Sequence, residues 1–133
     1  MSGVVADTHA AVWYLLESEN LSSTALAVLD EAAQEGDLVY VASISVVEVI
    51  YLVEKGRLPP VAMERLNRAL SDPDAGVVLV PLDLAVAQAI QQIPRDIVPD
   101  MPDRIIAATA LHLNLPLVTR DGNIQAAGIK TIW

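Results

Sequence analysis

The chain has 133 residues, with 17 Asp or Glu against 8 Lys or Arg, and a formal charge of −9 with histidine neutral. That balance excludes a protein that grips nucleic acid through a broad basic face, although a nuclease whose bound cations offset the charge locally is still allowed. Cysteine is absent, which removes disulfides, thiolate metal sites and thiol nucleophiles, and an apolar content of 53% without phenylalanine predicts one packed domain, 1–133, built on Val, Ile, Leu and Ala.

The opening "MSGVVADTHAAVW" lacks a basic region ahead of a long apolar stretch, so no signal peptide is expected. No uncharged apolar run approaches the roughly 20 residues that span a bilayer. The nearest, 38–53, is interrupted by Glu48. A cytoplasmic protein without membrane contact is expected.

In chain order, the apolar run Val4–Ala6 predicts a first strand, and His9–Glu17 a helix with Val12, Trp13, Leu15 and Leu16 near one face. Ser22 or Ser23 can cap a second helix, with Leu26 and Leu29 inward, Asp30, Glu31 and Glu35 outward, and Gly36 stopping it. "LVYVA" (38–42) predicts a buried strand. A third helix is expected over Ser45–Lys55, ending at Gly56, and Pro59-Pro60 opens a fourth with Val61, Met63, Leu66 and Leu70 inward.

"GVVLVPL" (76–82) predicts the third strand, Leu84–Ile93 a helix, and "PRDIVPDMP" (94–102) an irregular connection. A helix from about Asp103 to Leu113, the strand "PLVT" (116–119), a helical turn around Asn123–Ala127 and the terminal "KTIW" complete the chain. Strands alternating with helices predict an α/β protein, a three-layer α/β/α sandwich around a mostly parallel sheet. In that architecture, strand ends and the starts of the helices preceding parallel strands gather at one edge, where ligands bind.

Four acids fall at such junctions. Asp7 follows the first strand and can cap the next helix. Glu48 lies among apolar neighbours in "SVVEVIYLV" and can form a capping box with Ser45, yet a carboxylate there is costly unless paired. Asp103 sits in a first helical turn that Asp100 can cap and where Pro102 is an early residue. Asp121-Gly122 reads as an ordinary turn. Each acid alone has a sound structural explanation.

Together they are four negative charges on one edge, with only Arg104 and Arg120 adjacent to them in sequence. Hard cations are held by such oxygen donors without Cys or His, so a metal site stands beside the capping reading as an open alternative. His112 reads as structural, His9 as a candidate supporting group near Asp7. Thr8 and Thr119 read as solvent-facing turn residues or as holders of a metal's water. No GxSxG turn supports a serine triad, and no glycine-rich phosphate loop occurs.

With these segments in hand, "VADTHAAVW", "ASISVVEVIYLVEKGRL" and "MPDRIIAATALHLNLPLVTRDGNI" together resemble the PIN-domain ribonucleases, specifically the VapC-type toxins of toxin–antitoxin pairs. The resemblance spans essentially the whole chain and implies an acidic quartet of Asp7, Glu48, Asp103 and Asp121. Asp7 and Asp103 would be the main ligands of Mg²⁺ or Mn²⁺. Glu48 would complete the set or hold a metal's water, and Asp121 would support a second ion or a water. Thr119 matches a small hydroxyl residue two positions before the last acid, and Asp100 is left as a cap or supporting group.

The same resemblance implies RNA cleavage leaving 5′-phosphate and 3′-hydroxyl ends, a homodimer, and a cognate antitoxin whose basic segment reaches the acidic site. At −9 the chain is expected to hold RNA locally, through some of Lys55, Arg57, Arg65, Arg68, Arg95, Arg104 and Arg120. Trp13, Tyr14, Tyr51 and Leu52 read first as core, second as a partner surface. A Mg²⁺-binding phosphoacceptor domain is the rival in another class, but Asp7 has no acidic neighbour and Lys130 lies within the final strand. A catalytically silent partner-binding module is the other.

Overall fold

The alternation of side chains along β1 (Val4–Ala6) explains why this short run sits at the centre of the protein. In the computed structural model, which describes residues 2–133, Val4 and Ala6 pack into one layer and Val5 into the other. A strand buried on both faces is what a parallel sheet requires. β1 is flanked by β2 (Val39–Ala42) and β4 (Leu117–Val118), with β3 (Val77–Val80) and β5 (Thr131–Ile132) outside them. The sheet order is β3-β2-β1-β4-β5, and every pairing is parallel, not merely most of them. Ala6 lies opposite Val41 on one side and Val118 on the other.

One face is covered by α1 (Thr8–Leu15) and α2 (Ser23–Gln34), through Ala10, Ala11, Ala25 and Leu29. The other is covered by α5 (Leu84–Ala89) and α6 (Met101–Leu113), through Ala89, Ile106 and Ala107. Fully burying a side chain such as Leu29, Ile106 or Leu117 contributes roughly 1.5–3 kcal/mol each. A third cluster joins α1 to α3 (Ser43–Glu54) and α4 (Pro60–Ser71) through Val12, Val49, Ala62 and Leu66. The short α7 (Gly122–Gln125) follows β4. The α/β/α sandwich expected from the alternation is therefore present.

Several local expectations change. β2 runs into α3 without a loop, so Ala42 ends the strand and also precedes the helix, which starts at Ser43 and not Ser45. Helix α6 starts at Met101, two residues early, because Asp100 caps it and Pro102 fits its first turn. Leu26 and Val61 face outward, while Asp30 turns in to accept a hydrogen bond from the Tyr14 hydroxyl at 3.0 Å. Burial and that bond push the Tyr14 phenol up to about 12. Tyr51 is not core: it is 58% exposed. Among the described residues, no helix is long and apolar enough to cross a membrane.

Candidate active site

The strand order reverses direction at the boundary between β1 and β4, and chain leaving either strand emerges at the same edge. Such a reversal opens a crevice beyond the strand ends. Asp7 leaves β1 with its N–H donating to the Val118 carbonyl of β4 at 3.1 Å. One carboxylate oxygen, Oδ1, caps α1 by accepting from the Ala10 N–H at 2.8 Å. The other, Oδ2, accepts from the Thr119 hydroxyl at 2.5 Å. Capping and a second role thus coexist on one side chain, since each uses a different oxygen.

Glu48 departs from its expected partner. Ser45 lies inside α3, so the Ser45–Glu48 capping box cannot form, and Ala42 supplies no side-chain cap. Glu48 instead accepts from the Thr8 hydroxyl across the α1–α3 interface at 2.5 Å. Thr8 and Ser45 are both buried, with their hydroxyls 2.9 Å apart. Thr119 is also fully buried. Neither threonine is therefore a solvent-facing turn residue. Each is a donor locked onto an acid, and a buried hydroxyl needs such a partner.

Asp121 caps α7, its Oδ1 accepting from the Ile124 N–H at 3.0 Å, while its own N–H donates to Thr119 Oγ1 at 3.0 Å. Thr119 therefore links Asp7 to the Asp121 backbone. Asp103 is different, because Asp100 does the capping of α6 and leaves the Asp103 carboxylate uncommitted to that role. Its carboxyl is pushed up to about 7, first by burial and then by the negative charges of Asp100, Asp121, Glu48 and Asp7. Burial also raises Asp7 and Glu48, partly offset by the hydrogen bonds from Thr119 and Ala10 to Asp7 and from Thr8 to Glu48. Asp7, Glu48, Asp103 and Asp121 are thus electrostatic neighbours, and Asp100, read from the sequence as a cap or supporting group, is the acid that acts most strongly on both Asp103 and Glu48.

They are neighbours rather than a finished ligand cage. Among the described residues, no group of three or more acidic or histidine side chains has the spacing to hold a metal ion. By donor chemistry the set does suit a hard cation, being carboxylate and hydroxyl oxygen throughout. The repulsion that raises Asp103 is what a bound cation relieves. Arg104 does not supply that relief. Its guanidinium donates to the Ile90 and Ile93 carbonyls at 3.0 and 2.8 Å, anchoring α6 to the α5 side. His112 is exposed in the last turn of α6, and His9 is exposed on α1 against Trp13.

Comparison with known proteins agrees with this architecture. The family model for the PIN domain matches residues 4–130. Ribonuclease VapC22 of Mycobacterium tuberculosis (strain ATCC 25618 / H37Rv) is 31% identical over 128 residues, 95% of this chain and 92% of that protein. FitAcB from Neisseria gonorrhoeae has a TM-score of 0.64 at 27% identity, over 98% of this chain and 96% of its own. A toxin-antitoxin complex from Klebsiella pneumoniae has a TM-score of 0.69 at 19% identity, over 98% and 97%, a likeness of fold alone.

Proposed function

This chain belongs to the PIN-domain family, and on that premise we propose that it is the VapC-like ribonuclease toxin of a toxin–antitoxin pair, acting in the cytoplasm on RNA with a divalent cation such as Mg²⁺ or Mn²⁺. The observation that carries the proposal is the gathering of half-buried carboxylates where β1 meets β4, where burial first and the neighbouring negative charges second raise Asp103 to about 7. A protein gains nothing in stability from such crowding, so it is kept for a task.

In this reading Asp7 and Asp103 are the main ligands, Glu48 completes the set, and Asp121 supports a second ion or a water. When bound, the cation neutralises charge on the phosphodiester and makes water nucleophilic at neutral pH. The residues supply the rest. Thr119 holds Asp7 Oδ2 in a fixed direction, and Thr8 does the same for Glu48 Oε1. Asp103, whose carboxyl is raised by burial and by its acidic neighbours in the metal-free protein, would be returned to its ionised form by the cation it helps to hold. The products carry 5′-phosphate and 3′-hydroxyl ends.

The antitoxin belongs to the same proposal, supported by the likeness to ribonuclease VapC22 and by the VapC-type resemblance of the sequence. So does a homodimer, for which the exposed apolar face of α3 and Met101 offers a surface. The test is cleavage of total RNA by antitoxin-free protein, with the 5′ ends sequenced. Cleavage is expected to need Mg²⁺ or Mn²⁺ and to fall at least about 100-fold in Asp7→Asn and Asp103→Asn proteins that remain folded. Cutting that persists in a chelator would eliminate this chemistry. A folded protein that binds the ion but leaves RNA intact would point to a silent partner-binding module.

A further inference from the structure

The basic side chains of this acidic chain are not equivalent. Arg104 is committed to the Ile90 and Ile93 carbonyls, and Arg65 donates to the Leu15 carbonyl at 2.9 Å. Lys55 lies 6.0 Å from the Tyr51 ring, on the α3 face. Arg120 stands elsewhere. It is placed between Thr119, whose hydroxyl donates to Asp7, and Asp121, which caps α7. The backbone therefore fixes Arg120 beside the acids, and its side chain is exposed.

Its guanidinium carbon lies 4.6 Å from the centroid of the Trp13 ring. Trp13 is itself braced by His9, with ring centroids 5.4 Å apart, and by Trp133 at 6.0 Å in an edge-on arrangement. This cluster adjoins the acids, because His9 follows Asp7 by two residues and Arg120 directly precedes Asp121. A guanidinium stacked on an indole is held in orientation by the ring face, while its in-plane N–H groups remain available for phosphate oxygens. In a chain of charge −9, a polyanion is repelled at a distance, so an anchored cation beside the acids has the greatest local value.

We propose that Arg120, held over the ring of Trp13, grips a backbone phosphate of the RNA next to the bond that is cut. Trp13 is then a positioning residue that acts through Arg120. The inference rests on the nuclease reading and adds to it the interaction that seats the substrate. It predicts an effect on substrate binding rather than on the chemical step.

The experiment measures binding apart from cleavage. Full-length protein carrying Asp103→Asn is titrated with a labelled, mixed-sequence single-stranded RNA oligonucleotide in Mg²⁺, by fluorescence anisotropy over a salt series. Adding Arg120→Gln is expected to weaken binding roughly tenfold, the value of a charge-assisted hydrogen bond to phosphate. The plot of log affinity against log salt should flatten by about 0.7, the increment that neutralising one phosphate of a single strand contributes. Arg120→Lys should recover only part of the affinity, because a point charge does not stack as the planar group does. In otherwise wild-type protein, Arg120→Gln should raise KM roughly tenfold and leave kcat within about twofold.

Unchanged affinity and unchanged salt slope in Arg120→Gln would refute the assignment. So would an Arg120→Gln protein that keeps its RNA affinity but no longer holds a protein partner, since the cluster would then serve protein association. A protein that binds RNA through Arg120 yet never cuts it would end the nuclease reading while leaving this phosphate grip standing.

Discussion

At the scale of single residues, the site is a set of carboxylates whose oxygens are divided between local and distant duties. Asp103 shows the cost. Its folded pKa of about 7 lies above the ordinary 3.8, so between those values the folded state holds a proton that the unfolded chain releases. Stability contributed by that proton is present at low pH and is lost as pH rises from about 4 to about 7. In a chelator, the thermal midpoint of the wild-type protein should therefore decline across that window. Asp103→Asn should decline less and melt higher at pH 8, the residual slope coming from Asp7 and Glu48, whose carboxyls are also raised. A calorimetric series showing parallel curves for the two proteins would contradict this.

Thr8 gives a second prediction at the same scale. Thr8→Val keeps the shape but leaves Glu48 without its buried donor, a charge-assisted bond worth about 1.5–3 kcal/mol. RNA cleavage should fall roughly 10–100-fold, with Thr8→Ser restoring most of it. If the valine protein cleaves at the wild-type rate, Glu48 needs no such tether. The signals for this pair were partly visible in sequence, because Thr8 adjoins Asp7. Its partner was not, since Glu48 lies 40 residues away and its own helix offered the nearer Ser45.

At the scale of elements, helix starts and strand ends carry the design. Asp7 and Asp100 cap helices, as their types and positions predicted, and Asp121, read from the sequence as a turn residue, caps α7 as well. The start of α3 went the other way because no loop intervenes between β2 and the helix, so serine had no place to cap. On the far side of the sheet from these starts, Gly76 leads into β3 with a φ of +74°, and a Cβ there would lie 2.5 Å from the Ala33 carbonyl oxygen at the end of α2. Gly76→Ala should destabilise the protein by about 1–3 kcal/mol through strain and displacement of α2. Chemical denaturation measures it, and a loss below about 0.5 kcal/mol would mean that the two elements move apart easily.

For the whole molecule, what matters is which surfaces are left uncovered after the sandwich closes. Val47, Ile50 and Tyr51 on α3 and Met101 at the start of α6 form an exposed apolar face next to Glu48. A contiguous face of this kind is a candidate association surface. The proposed homodimer should therefore dissociate, or weaken at least about tenfold, when Tyr51→Glu places a charge there. Sedimentation velocity over a concentration series reads this directly. A Tyr51→Glu protein that stays dimeric would assign the dimer to another face.

Apolar periodicity and junction residues by themselves determined the order of strands and helices, the α/β class with a mostly parallel sheet, and the position of Asp7 and Asp121 at strand–helix junctions. These follow from rules that act over a few residues: burial on both faces, the preference of acids for helix starts, and the geometry of strand–helix connections. Only the tertiary structure decided which groups the acids meet. Thr119 reaches Asp7 across 112 positions, Thr8 reaches Glu48 across 40, and Trp13 carries Arg120 although a hundred residues and more separate them. Arg104 turned inward to backbone carbonyls for the same reason. Partners at such distances are chosen by packing between layers, and no local pattern records it.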